Sequence, residues 1–152
     1  MSRYFVVLLF LATLGCASAP RGVNEPGAPT PALAVERFMA AAKAQDLQAL
    51  AVAWGSAKGP ARSVVPKDQI ERRELIMICY LTHDSYTVQS DTPAPEGRRA
   101  FTIELRRGPI ARKTTLTTVK GPSNRYYVSD VALEPLSDLC ATSGKTLQSP
   151  TP

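Results

Sequence analysis

The stretch Arg98-Arg99-Ala100-Phe101-Thr102-Ile103-Glu104-Leu105-Arg106-Arg107-Gly108 decides the fold. Phe101, Ile103 and Leu105 alternate with Thr102, Glu104 and Arg106, and successive side chains of a strand point to opposite faces. The segment therefore reads as a strand with one buried and one polar face, as in an antiparallel sheet covered on a single side. Its neighbours repeat that chemistry: 85–91, 111–121 and 124–135 are rich in Thr, Val and Tyr and are separated by turns containing Pro and Gly. Joins this short connect antiparallel neighbours, so everything after His83 reads as a four-stranded meander.

Upstream the period changes from two to about 3.6. Thr30 can cap a helix that has Pro31 at its first position, and Val35, Phe38, Met39 and Ala42 then fall on one face of 31–44. Asp46 can cap a second helix, in which Leu47, Leu50, Ala51 and Trp54 recur at i, i+3, i+4 and i+7 before Gly55. A third segment, 66–81, is charged in its first half and wholly apolar from Leu75 to Leu81. Ile76, Ile78 and Tyr80 would also suit a strand, but the length of the segment favours a helix. The fold class is α+β, with two to three N-terminal helices on a curved four-stranded antiparallel meander.

The ends of the chain differ in character. Residues 5–14 are almost entirely apolar and follow Arg3, the pattern of a signal peptide; ten residues are too few to span a bilayer core as a helix. Residues 16–30 hold three prolines before the Thr30 cap and a single branched aliphatic side chain, so they read as a flexible tether. Residues 141–152 lack periodicity, end Ser-Pro-Thr-Pro, and read as a disordered tail. The expected organisation is a signal peptide at 1–15, a tether at 16–30, a folded domain at 31–140 and the tail.

Two resemblances sharpen this. Ala12-Thr13-Leu14-Gly15-Cys16-Ala17 resembles the lipobox of bacterial lipoproteins, although Thr13 and Leu14 depart from the commonest form. The resemblance implies acylation of Cys16, cleavage before it and a membrane anchor. Ala17 rather than Asp after the cysteine implies an outer-membrane destination, facing the periplasm, in a Gram-negative cell. Separately, the run from Ala34-Val35-Glu36-Arg37-Phe38-Met39 to Asp46-Leu47-Gln48-Ala49-Leu50, with a meander behind it, resembles the nuclear transport factor 2-like superfamily. That implies a cone fold, and a function ranging from ligand or protein binding to isomerase or dehydratase chemistry at a Tyr, Asp or His inside the cone.

The residues themselves offer little catalytic equipment. His83 is the only histidine, and no cluster of His and Cys has metal-ligand spacing, so neither a metal nor another cofactor is expected. Gly144-Lys145-Thr146 imitates the end of a phosphate loop but has Leu139 where the loop needs glycine. Cys79 and Cys140 are the cysteines left after Cys16; a disulfide is the leading reading in an exported protein, with separate thiols as the alternative. Trp54, Tyr80 and Tyr126 are pocket candidates, with Tyr127 and Asp130 beside them; the alternation sends one of Tyr126 and Tyr127 inward.

A formal charge of +5 concentrates at a hairpin tip holding Arg106, Arg107, Arg112 and Lys113, a candidate contact for anionic headgroups or an acidic partner. A second cluster, Arg98 and Arg99, lies at the far end of the same strand. Nucleic acid is not expected outside a cell. Thr102, Glu104, Thr115 and Thr117 make the outer sheet face polar, a weak surface for a homodimer. The expected function is that of a membrane-anchored, non-catalytic lipoprotein whose domain binds a small apolar ligand or an envelope protein. The alternative is an acid/base enzyme of the cone type.

Overall fold

The computed structural model describes residues 25–146. Helices α1 (Pro31–Ala44), α2 (Leu47–Ala53), α3 (Ala61–Val64) and α4 (Lys67–Leu81) precede the strands β3 (Ser85–Ala94), β4 (Arg98–Arg107), β5 (Ile110–Lys120) and β6 (Tyr126–Val131), and α5 (Ser137–Thr146) follows. Two-residue strands β1 (Gly55–Ser56) and β2 (Gly59–Pro60) form a small hairpin between α2 and α3. The large sheet has the order β3-β4-β5-β6, antiparallel throughout. The domain is α+β, a helical layer against one face of a meander, as the alternation in 98–108 implies.

The caps explain where the first helices begin. Thr30 accepts the Leu33 amide at 3.2 Å and Asp46 accepts the Ala49 amide at 3.0 Å, each satisfying a donor that the first turn leaves without a partner. Helix α1 buries Val35, Phe38, Met39 and Ala42 against Phe101, Ile103, Leu105, Leu116 and Val128 from the covered face of the sheet. Segment 66–81 is helical, and it docks through Met77, Ile78 and Leu81.

Both expected domain boundaries move outward. The last residues of the expected tether, 25–30, pack onto the domain: the Ala28 amide and carbonyl pair with Tyr126 at 2.9 and 2.8 Å, and the Gly27 amide donates to the Val52 carbonyl at 2.8 Å. Arg37 and Arg125 both donate to the Gly27 carbonyl, at 2.6 and 3.0 Å, and Arg125 also reaches the Pro26 carbonyl and the Glu25 carboxylate. Composition misled here because backbone pairing, rather than apolar side chains, holds the strap. At the other end a helix that the sequence did not suggest, α5, runs past the expected domain boundary at 140 and into the expected tail, to Thr146. The signal peptide, Cys16 and residues 147–152 lie outside the described residues.

The strap and the β1–β2 hairpin bury Tyr127 on the outer face of the sheet, opposite the helices. A Cβ on Gly27 would stand 2.9 Å from its ring and one on Gly121 2.8 Å, so neither position tolerates a side chain without movement; Gly27 also has φ +64°.

Candidate functional site

Helix α4 carries more apolar surface than one face can bury. Residues 75–81 are all apolar, and only Met77, Ile78 and Leu81 of them turn into the core. Leu75 and Ile76 remain 52% and 44% exposed. They form the wall of a groove of about 600 Å³ that also takes in Asp68, Glu71, Arg72, Cys79, Tyr80 and Cys140. Cys79 and Cys140 are joined by a disulfide with a Cα–Cα distance of 4.8 Å, which fixes α5 against α4. The Arg107 guanidinium donates to the Leu139 carbonyl at 3.1 Å, and Leu139 itself is fully buried. The groove thus has an apolar middle, a braced end and a charged end on the first turns of α4. It can hold an apolar body and orient a polar group.

Of the sequence-derived pocket candidates, Tyr80 lines this groove and Trp54 and Tyr126 do not. Trp54 bridges to Val128 along the edge of β6, and Tyr126 pairs with Ala28 and Lys120 at the start of that strand. The outward-facing tyrosine, Tyr127, is the more deeply buried of the pair, since the strap covers it. Asp130 stands exposed opposite Thr117. Leu75 and Ile76 were missed as site residues, although seven successive apolar residues on a helix already signal a surplus stripe.

Two titratable groups sit apart from the groove. Glu74 lies on the core face of α4 and is 4% exposed, and its Oε1 has no hydrogen-bond partner among the described residues. Burial, reinforced by the neighbouring Glu71 carboxylate, pushes its pKa up to about 7. The side chain is covered but shallow, so solvent still moderates this penalty. His83 is also buried, and burial lowers its pKa despite the bond from Nδ1 to the Leu81 carbonyl at 2.7 Å. Its ring meets Tyr86 edge-on at 5.5 Å. Each has its own surroundings, and neither lines the groove.

The basic tip is largely engaged within the molecule. Arg106 pairs with Glu104 at 2.6 Å, Arg112 with Asp138 at 2.5 Å, and Arg107 with the Leu139 carbonyl. At the far end of β4, Arg98 pairs with Glu96 and Arg99 with Asp91. The positive balance therefore overstates the cationic surface on offer. Among the described residues no group of three His, Cys, Asp or Glu side chains has the geometry to hold a metal ion. Compared with protein-family models, curated proteins and solved structures, the chain matches none.

Proposed function

We propose that the chain is a bacterial envelope lipoprotein, anchored in the outer membrane through acylated Cys16, whose nuclear transport factor 2-like domain binds a ligand or a protein partner without catalysis. The observation that carries the binding role is the α4–α5 groove, where Leu75 and Ile76 stand exposed around about 600 Å³. Exposed apolar side chains gathered in a concavity are the usual signature of a binding surface. Export is supported by the order Arg3, apolar 5–14, Gly15, Cys16, and by a disulfide, a bond that persists in oxidising compartments. The cone reading rests on element order, helices followed by a meander. Binding is favoured over acid/base chemistry because Glu74, His83 and Tyr127, buried ionisable groups among the described residues, all stand outside the groove.

Two measurements test the proposal. A Leu75→Asp/Ile76→Asp variant should keep the wild-type circular dichroism spectrum, since both side chains are exposed, and lose binding of a fluorescent apolar probe. Equal probe binding by variant and wild type would remove the groove as the site. A Cys16→Ala variant should lose incorporation of labelled fatty acid and leave the membrane fraction; retention of both would end the lipoprotein reading.

A further inference from the structure

The two edges of the sheet are treated differently. The outer edge of β6 is covered by backbone, with Ala28 bridging to Tyr126 and Trp54 to Val128. Strand β3 pairs only with β4 among the described residues. Apart from Tyr86 and Ala94, its side chains are exposed, and Val88, on the face that the helices cover elsewhere, is 52% exposed. An unpaired strand edge is a template for another strand, and proteins usually blunt it with charge, proline or a bulge. Here those devices sit in the second half: a register shift between Val88 and Ser90, then Asp91 and Pro93. The first half, Ser85-Tyr86-Thr87-Val88-Gln89, carries no charge, no proline and no glycine.

We infer that the first half of β3 is an interface for a second copy of this chain, joining two sheets edge to edge about a twofold axis centred on Thr87. Among the residue-centred axes that the pleat allows, side-chain pairing selects that centre. A twofold axis normal to the sheet keeps the covered faces of both copies on the same side, so only residues of like pleat orientation can face each other across it. Centred on Thr87, the axis sets Thr87 against its own counterpart and Tyr86 against Val88 of the second copy, twice over by symmetry. An aromatic beside a β-branched side chain is a favourable cross-strand pair, and this one covers the exposed Val88. No like charges meet, because 85–89 carries none and the flanking Asp84 and Asp91 lie outside the paired stretch, bonded to the Gly108 amide and to Arg99. The bulge at Gln89 ends the pairing before Asp91 and Pro93, which keeps the association limited to a dimer edge. The inference is independent of the groove and of the acyl anchor.

Single-cysteine crosslinking in the mature lipidated protein, solubilised in detergent, tests it. A Thr87→Cys variant should give a covalent dimer under mild oxidation, and adding Val88→Lys, a change at an exposed position, should abolish it. Ser90→Cys, equally exposed, should stay monomeric, since its counterpart lies six positions away in the paired register, roughly 20 Å at about 3.3 Å per residue. Light scattering should show the molar mass of the wild-type protein rising towards twice the monomer value with concentration. A monomeric Thr87→Cys chain, equal crosslinking at Ser90→Cys, or a dimer captured instead by Thr115→Cys on the outer sheet face would each overturn the inference.

Discussion

Glu74 makes the same point in energetic terms that Leu75 and Ile76 make in geometric ones: α4 is not optimised for stability along its whole length. A carboxyl group on the core face with an oxygen that finds no partner favours its neutral form. Its folded pKa of about 7 lies above the ordinary carboxylate value of 4.5, so the folded chain holds a proton that the unfolded chain has released. The stabilisation is therefore full below pH 4.5, falls as the pH rises between 4.5 and 7, and is gone above it. The difference amounts to at most about 3 kcal/mol, and less because the side chain is shallow. Glu74→Gln should accordingly unfold like the wild type at pH 5 and at higher denaturant than the wild type at pH 8. A difference between the two that is flat across this range would show that Glu74 does not titrate on folding. Nothing in the sequence marked this residue. A Glu at an amphipathic position is ordinarily solvated, and only the way α4 packs decides that this one is covered.

Among the elements, those with side-chain signals were legible and those built from backbone pairing were not. Thr30 and Asp46 fixed the starts of α1 and α2 because capping needs a specific oxygen at a specific place, and both caps form. The meander was legible from the alternation in 98–108 because period two leaves no other buried face. Helix α4 was ambiguous, since Ile76, Ile78 and Tyr80 satisfy both periods. The β1–β2 hairpin and α3 are two to four residues long, too short for any period to register. The strap 25–30 read as tether because Pro and Gly cannot build a core, yet it is held by bonds to Val52, Tyr126, Arg37 and Arg125. A direct consequence is that Ala28, fully buried, belongs to the folding unit. Ala28→Glu should cost about 3 kcal/mol or more, because it places a charge where no partner awaits it. Glu25→Gln, at an exposed ion pair, should change stability by about 0.5 kcal/mol or less. Chemical denaturation of both variants measures this, and an Ala28→Glu chain as stable as the wild type would return the strap to the tether.

At the scale of the whole molecule, the strap sets which end of the domain meets the membrane that the proposed anchor would provide. Glu25 leaves beside Tyr126 and the β1–β2 hairpin, at the end of the sheet where β5 stops and β4 starts. The tip with Arg106, Arg107, Arg112 and Lys113 lies at the opposite end of β4, roughly 30 Å away at about 3.3 Å per residue. Between Cys16 and Glu25 lie only residues 17–24, so the covalent link from one to the other spans at most roughly 32 Å at about 3.6 Å per residue. With Cys16 as the proposed anchor, a link this short holds the strap end of the domain nearer to the bilayer than the tip, whose distance from the strap is about the full reach of the link. For the tip to meet any anionic surface or acidic partner, Arg106 and Arg112 would have to give up Glu104 and Asp138 for it. The orientation can be measured in vesicles carrying the lipidated protein with a headgroup quencher. A dye at Lys58→Cys, on the hairpin beside the strap, should be strongly quenched, and one at Lys113→Cys only weakly, with the contrast unchanged by raised salt. Equal quenching at the two sites, relieved by salt, would mean that the cationic tip lies on the anchoring membrane, and that the charge pairs along β4 and β5 open to let it do so.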